Sequence, residues 1–137
     1  MRVSWLHTRK VVLSMLSVIS VIDDDASVRV ATDNLLSSHG YSVHTFASAE
    51  EFLQSPRLHD CTCVVADVQM PGMGGLELLT YMRAQGYLAP MIFITAFPEE
   101  SVRASALKAG AICFLAKPFP APALIDCVET ALHRAGS

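Results

Sequence analysis

The sequence has little of what direct contact with nucleic acid or a membrane requires. Its 137 residues carry 10 Lys and Arg against 13 Asp and Glu, so the formal net charge is -3 and there is no excess of basic residues to attract nucleic acid. Apolar residues make up 52% of the chain and charged residues only 17%, which is typical of one domain with a well-filled core. We therefore expect a single globular domain that binds neither nucleic acid nor a membrane itself.

The N-terminus lacks the features of a complete secretion signal. Basic residues precede the apolar run VVLSMLSVISVI, but DDDAS follows it where a small-residue cleavage site would stand. The run is also shorter than the roughly 20 apolar residues that cross a bilayer. We therefore expect a cytoplasmic protein in which residues 17–134 form one domain. Residues 1–16 are predicted to be an N-terminal extension or an alternative-start segment, in which a start at Met15 would make residues 1–14 the extension.

Cysteine and histidine are present without the spacing of a metal site. The four cysteines form no CxxC pair, and the five histidines are scattered along the chain. Three of the cysteines lie within apolar runs, which is typical of buried thiols. We therefore expect the cysteines to be reduced; they are Cys61, Cys63, Cys113 and Cys127.

Five apolar runs of strand length alternate with segments of helical periodicity. The runs are residues 17–22, 41–46, 61–66, 90–95 and 111–116. Strands that are nearly all apolar are typical of a parallel sheet with helices on both faces. We therefore predict an α/β fold, a doubly wound five-stranded parallel sheet with five helices.

Local signals mark the helix boundaries and the buried faces. SAEE, beginning at Ser48, predicts a capping box for the second helix, and Pro98 is expected to open the fourth. Glycines at positions 40, 86 and 110 stand where helices should end. The predicted apolar stripe of the first helix consists of Val28, Ala31 and Leu35.

Polar or charged side chains stand at the ends of four of the five predicted strands. Asp23 and Asp24 follow the first strand, Asp67 the third and Lys117 the fifth, while Thr95 ends the fourth. The carboxyl ends of parallel strands meet at one edge of the sheet, where doubly wound folds bind their ligands. A helix cap would explain one Asp of DDDAS but not three. We therefore expect these side chains to form one site.

This combination of groups suits a divalent cation and a phosphoryl group. Mg²⁺ takes one or two carboxylates and keeps several waters, so Asp24 and Asp67 are predicted as direct ligands and Asp23 as a ligand through water. A carboxylate can also attack a phosphoryl donor to give an aspartyl phosphate. The Thr95 hydroxyl, the Lys117 ammonium and the cation would then meet the charge on the transferred group.

Four motifs resemble the receiver domain of two-component response regulators. They are VIDDDASVR, VVADVQMPGMGGLELL, FITA and GAICFLAKPF, which match the family in order and spacing over residues 17–134. The resemblance implies a flavodoxin-like sheet with strand order 2-1-3-4-5. It also implies Mg²⁺ as cofactor, a histidine kinase as partner, and a self-phosphorylating and self-dephosphorylating receiver rather than a conventional enzyme.

The resemblance assigns roles residue by residue. Asp67 would be the phosphoacceptor, with Asp23 and Asp24 as the acidic pair that binds the cation. The backbone carbonyl of Gln69 would be the third metal ligand, and Thr95 and Lys117 would contact the phosphoryl group. Phe114 would be the aromatic switch residue. The peptide bond before Pro118 would be cis, and Asp25 would cap the first helix.

Two longer segments are most similar to FixJ-type receivers, namely GYSVHTFASAEEFLQSPR and ITAFPEESVRASALKAGAICFLAKPF. Such receivers usually precede a helix-turn-helix DNA-binding domain, so the resemblance implies control of transcription. A stand-alone receiver or a phosphorelay intermediate is the alternative. The family also implies that the fourth helix, the fifth strand and the fifth helix form a face that binds a partner or a second copy after phosphorylation.

Three positions depart from the common pattern of the family. Gly74 stands where many receivers have Asp, and Gln69 where many have Asn. Phe97, two residues beyond Thr95, offers no polar group to a water that attacks the phosphoryl group. We expect Gln69 and Phe97 to tune the lifetime of the phosphoryl group by limiting that water. The alternative is that Phe97 packs on the fourth helix and anchors the loop.

A phosphatase of the haloacid-dehalogenase type is the competing interpretation. Asp23, Asp25 and Ser27 fit its D-x-D-x-[ST] motif, with Asp23 as nucleophile and Asp25 as general acid and base. However, no acidic pair follows Lys117, and Asp67 would have no role. The sequence therefore favours the receiver.

Overall fold

A computed structural model describes residues 17–135, which form a sheet between two layers of helices. The strands β1 to β5 are Val18–Ile22, Ser42–Phe46, Cys63–Asp67, Met91–Thr95 and Cys113–Ala116. The helices α1 to α6 are Ala26–Ser38, Ala49–Leu53, Arg57–Asp60, Gly75–Ala84, Glu100–Lys108 and Ala121–Ala135. The predicted extension, residues 1–16, lies outside the described residues.

The sheet confirms the predicted fold class and strand order. All strand pairs are parallel and the order is β2-β1-β3-β4-β5. Six helices rather than five occur in the described part of the chain, because the one-turn helix α3 follows α2. Four residues are too few to show helical periodicity, so this helix was not predictable from the spacing of apolar residues. Within residues 17–135 no helix is both long and apolar enough to cross a membrane.

Two apolar layers explain why the strands are nearly all apolar. Val64 and Ala66 of β3 belong to the layer that also contains Phe52 and Met82, whereas Val65 belongs to the opposite layer under α1 and α6. Successive strand residues point to opposite faces, and here both faces are covered. The strand ends are therefore fixed on both sides, which positions the side chains that follow them.

The predicted stripe of α1 is confirmed in part, since Val28 and Leu35 pack against the apolar layer that contains Leu36. Thr32 and Leu36 are the buried residues of α1, whereas Ala31 is exposed and Val28 and Leu35 are only half-buried. α1 packs against β2 as well as β1, and its most buried residues lie one position beyond Ala31 and Leu35 of the stripe. The stripe lines a groove beside the segment that follows β5.

Most of the predicted helix boundaries are observed. Asp25 caps α1, and the Ser48 side chain accepts a hydrogen bond from the Glu51 N–H at the start of α2. The glycines at positions 40, 86 and 110 follow helix ends with positive φ. The expectation for Pro98 is wrong, since α5 begins at Glu100 after a separate turn in which the Glu99 N–H donates to the Phe97 carbonyl.

The expectation of reduced cysteines is wrong for one pair. A disulfide joins Cys113 of β5 to Cys127 of α6, whose Cα atoms lie 6.1 Å apart. The two positions are separated by 14 residues in the chain, and only the packing of α6 on β5 brings them together. Cys61 and Cys63 are free thiols, and burial raises the pKa of both.

Candidate functional site

Three carboxylates meet at the carboxyl edge of the sheet. Asp23 follows β1, Asp24 comes next, and Asp67 ends β3, the strand beside β1. One carboxylate oxygen from each lies within 4.8 Å of the others. Asp23 is completely buried and Asp67 nearly so, whereas Asp24 is exposed. The polar ends of neighbouring parallel strands therefore form one cluster.

Lys117 supplies the positive charge of this cluster. Its Nζ lies 2.7 Å from Asp23 Oδ2 and 2.7 Å from Asp67 Oδ2. The Lys117 backbone N–H donates to the Thr95 carbonyl, and the peptide bond to Pro118 is cis. The hydrogen bond to Thr95 fixes the end of β5, and the Lys117 side chain contacts two carboxylates.

The charges of the cluster are unbalanced. Burial raises the pKa of Asp23 above its ordinary value, although hydrogen bonds from Lys117 and from the Asp25 N–H oppose the shift. Burial alone would lower the pKa of Lys117, but its hydrogen bonds to Asp23 and Asp67 leave it above the ordinary value. One ammonium does not neutralise three carboxylates. A donor set of several carboxylate oxygens with excess negative charge fits a hard divalent cation such as Mg²⁺.

Thr95 and Phe97 lie next to the cluster, at the end of β4. The Thr95 side chain is buried and its Oγ1 accepts a hydrogen bond of 3.0 Å from the Phe97 N–H. The hydroxyl can therefore still donate its own proton. Phe97 is 62% exposed, which does not fit the alternative in which it is packed against a helix as an anchor.

The segment after Asp67, residues 68–74, is called the acceptor loop below. The Gln69 N–H donates to Asp67 Oδ1 at 2.9 Å, and the Gly75 N–H donates to the Val68 carbonyl at 3.0 Å. A Cβ at position 75 would lie 2.6 Å from the Asp67 carbonyl oxygen, so only glycine fits there. Gly74 is the N-cap of α4 without a side-chain hydrogen bond, which is the consequence of having no Asp at that position.

The side chains of two further predicted residues have partners outside the carboxylate cluster. Phe114 is half-buried on β5 and packs against the apolar layer that contains Phe93. Asp25 is exposed, and its Oδ1 accepts hydrogen bonds from the Ser27 hydroxyl and backbone N–H, which lower its pKa. A carboxylate engaged as a helix cap does not suit the acid and base role that the phosphatase interpretation requires.

Two contacts near the site were not predicted from the sequence. Arg29 Nη1 donates to the Asp23 carbonyl at 2.6 Å, and Glu50 Oε2 accepts from the Met73 N–H at 3.1 Å. Glu50 is the acidic residue of SAEE that the capping box does not use, because Ser48 and Glu51 form the box. A Glu50 carboxylate without a role in the capping box was the only sign in the sequence of this contact. Its partner, Met73, lies 23 residues further along the chain, so the sequence did not identify it.

Comparison with known proteins identifies the family of the chain and agrees with its fold. The family model described as response regulator receiver domain matches residues 19–129. The chain is 40% identical over 117 residues to the transcriptional regulatory protein FixJ of Bradyrhizobium diazoefficiens, covering 85% of this chain and 57% of FixJ. The structure of the response regulator StyR matches with a TM-score of 0.81 and 42% identity, covering 88% of this chain and 61% of that chain.

A crystal structure titled FixJ-N matches with a TM-score of 0.77 and 32% identity, covering 85% of this chain and 94% of that chain. The chain spans about half the length of the curated relatives it matches. The likeness therefore concerns one part of those proteins.

Proposed function

Because the chain belongs to the family of response regulator receiver domains and is of the FixJ type, we propose that it accepts a phosphoryl group from a histidine kinase on Asp67. The observation that supports this most directly is the position of Lys117, whose ammonium lies equally close to the carboxylates of Asp23 and Asp67. The Asp67 carboxylate, at the end of the central strand β3, thus has the Lys117 ammonium beside it. That ammonium would pair with the negative charge of an aspartyl phosphate formed on Asp67.

The side chains around Asp67 fit the roles that phosphoryl transfer requires. Asp67 Oδ1 is held by the Gln69 N–H and Oδ2 by Lys117, so the carboxylate is oriented before a donor arrives. As the bond from Asp67 oxygen to phosphorus forms, the phosphorus–nitrogen bond of a phosphohistidine breaks. The Lys117 ammonium then pairs with the transferred group, and the Thr95 hydroxyl donates to one of its oxygens.

The acidic cluster fits the Mg²⁺ that receiver domains use. Asp24, Asp67 and the Gln69 carbonyl would hold the cation directly, and Asp23 through water. When bound, Mg²⁺ neutralises the carboxylates and the charge on the phosphoryl oxygens. Asp23, which is buried and paired with Lys117, keeps one side of the cluster negative before the cation binds.

The test is phosphorylation by acetyl phosphate with Mg²⁺, followed by chemical trapping of the acyl phosphate and peptide mapping. We expect the label on Asp67, and at least a hundredfold less label in Asp67→Asn, because an amide is not a nucleophile here. Asp25→Asn is the matched control, since Asp25 is acidic and nearby but caps α1. Label on Asp23, or full labelling of Asp67→Asn, would contradict the proposal and revive the phosphatase interpretation.

The output is proposed to be control of transcription in the cytoplasm. FixJ, the similar protein described above, is named as a transcriptional regulator. A stand-alone or phosphorelay receiver would use the same site with a different partner. The face formed by α5, β5 and α6, called the switch face below, is proposed to bind a second copy after phosphorylation.

A further inference from the structure

Glu50 makes a contact that helix capping does not explain. It lies in the first turn of α2 and its Oε2 accepts a 3.1 Å hydrogen bond from the backbone N–H of Met73 in the acceptor loop. This hydrogen bond lowers the pKa of Glu50, so the carboxylate is ionised at neutral pH. A charged acceptor on one helix therefore holds the backbone of a loop that follows another strand.

The loop is shaped to receive this carboxylate. Gly72 has φ of +76°, and a Cβ at that position would lie 2.5 Å from Glu50 Oε2. The oxygen thus occupies the space that a side chain at position 72 would need. The hydrogen bond from the Met73 N–H and the close approach to Gly72 both place the Glu50 carboxylate against the middle of the loop.

The position of the acceptor loop matters for the site. The loop begins at Asp67, whose Oδ1 is bonded to the Gln69 N–H, and it ends where the Gly75 N–H bonds the Val68 carbonyl. Both hydrogen bonds are made within the strand, loop and helix that the loop connects. The bond to Glu50 instead fixes the middle of the loop to α2, a different element.

We propose that Glu50 is a positioning residue that holds the acceptor loop in the shape needed to present the Gln69 carbonyl to the divalent cation. The inference rests on the proposed function, because it assumes that this carbonyl is a metal ligand. Glu50 touches neither the cation nor the phosphoryl group. Its effect is therefore on the affinity for Mg²⁺ and not on the reactivity of Asp67 once Mg²⁺ is bound.

The experiment compares Glu50→Ala, Glu50→Gln and Glu51→Ala with the unmodified chain. Glu51 is the matched control: it is the next residue of α2, carries the same charge, and accepts from the Ala47 N–H rather than from the loop. The first readout is hydrogen exchange of the Met73 amide without Mg²⁺. The second is the Mg²⁺ dissociation constant from an NMR titration, and the third is the rate of labelling by acetyl phosphate at saturating Mg²⁺.

We expect Glu50→Ala to speed Met73 exchange and to weaken Mg²⁺ binding about fivefold, somewhat less than the effect of groups that directly orient a metal ligand. The labelling rate at saturating Mg²⁺ should stay within about twofold of the unmodified chain. Glu50→Gln keeps an oxygen acceptor and should restore part of the affinity. Glu51→Ala should leave Met73 exchange and the Mg²⁺ affinity unchanged.

Equal Mg²⁺ affinity in Glu50→Ala and Glu51→Ala would overturn the inference. So would faster Met73 exchange without any change in affinity, which would make the contact structural only. Failure of the proposed function looks different, because the unmodified chain would then neither bind Mg²⁺ at the cluster nor be labelled on Asp67.

Discussion

The burial of the Asp23 carboxylate disfavours its charged form. Asp23 is completely buried, it shares the Lys117 ammonium with Asp67, and burial raises its pKa. A raised carboxyl pKa means that the folded state binds the proton more readily than the unfolded state. The stabilising contribution of this group is thus present below its ordinary pKa of 3.8 and is lost as the pH rises through the raised value.

Asp23→Asn should therefore stabilise the protein in the absence of divalent cations. At neutral pH the change removes a buried carboxylate and leaves Lys117 paired with Asp67 alone, so we expect a higher free energy of unfolding, because the cost of burying the charged form is removed. The gain should shrink as the pH is lowered toward the ordinary pKa of 3.8, because the raised pKa means that folded Asp23 is protonated on the way down. Urea unfolding in EDTA at several pH values measures it.

The control for this change is Asp126→Asn, which removes an exposed carboxylate from α6 and should have little effect. A loss of stability in Asp23→Asn at neutral pH would show that the ion pair with Lys117 outweighs the cost of burial. An advantage that grows on acidification would contradict the sign of the pKa shift.

Phe97 is the second residue whose role can be decided by one substitution. The residue is 62% exposed and its backbone N–H donates to Thr95 Oγ1, so the backbone is anchored at the end of β4 while the side chain is not part of the core. If the ring limits the approach of water to the phosphoryl group, Phe97→Glu should speed dephosphorylation several-fold. The decay of phosphorylated protein at saturating Mg²⁺ gives the rate.

Phe97→Leu, which keeps an apolar side chain at this position, is expected to dephosphorylate at nearly the original rate. Mg²⁺ affinity should be the same in all three proteins, because the side chain of residue 97 is not among the proposed ligands. Identical decay rates for Phe97→Glu and the unmodified chain would show that the ring does not guard the path of water.

At the scale of elements, the start of α4 depends on close approach to β3. A Cβ at Gly75 would lie 2.6 Å from the Asp67 carbonyl oxygen and 2.8 Å from the Phe93 ring. An alanine in a helix normally gains up to about 1 kcal/mol over glycine. Here overpacking against a fixed backbone costs about 1–3 kcal/mol and outweighs that gain, so Gly75→Ala should lower the free energy of unfolding by about 1 kcal/mol net.

Urea unfolding can compare this variant with Gly86→Ala. Gly86 has no neighbouring atom within 4 Å of a built Cβ, but its φ is +84°, so only backbone strain of about 1 kcal/mol is expected there. Gly75→Ala should also reduce labelling of Asp67, which Gly86→Ala should not. A Gly75→Ala protein as stable as the original would mean that α4 can shift without cost.

The elements that local patterns determine were the predictable ones. The five strands lie where apolar runs stand, and Asp23, Asp67 and Lys117 meet because each follows a strand of one parallel sheet. The family resemblance supplied the strand order and the cis peptide at Pro118. Hydrophobic periodicity and motif spacing therefore predicted both the fold class and the residues of the carboxylate cluster.

Features that depend on contacts between distant segments were not predictable. The most buried residues of α1 lie one position beyond the predicted stripe, and its packing on β2 is a contact that no periodicity within α1 records. The disulfide between Cys113 and Cys127 exists because α6 packs on β5. The contact of Glu50 with the acceptor loop likewise joins two segments whose relative position only the folded chain defines.

At the scale of the whole molecule, the site is connected to the switch face through the paired strands β4 and β5. Thr95 ends β4 and Phe114 lies in β5, which pairs with β4 in register at Phe93 and Phe114. The disulfide ties β5 to α6 within the switch face. A rearrangement there is thus expected to involve the Phe114 side chain and α5 rather than separation of α6 from β5.

Phosphorylation should shift this face between two packings. A phosphoryl group on Asp67 offers a new acceptor to the Thr95 hydroxyl, and movement of Thr95 makes room into which Phe114 can turn. We expect beryllium fluoride with Mg²⁺, a mimic of the phosphoryl group, to change NMR shifts at Phe114 and along α5 more than at the contact between Cys113 and Cys127. Self-association should increase in sedimentation. Thr95→Val, which keeps the shape but lacks the hydroxyl, should still bind the mimic yet lose both responses, whereas unchanged shifts at Phe114 and unchanged self-association in the original chain would contradict the coupling.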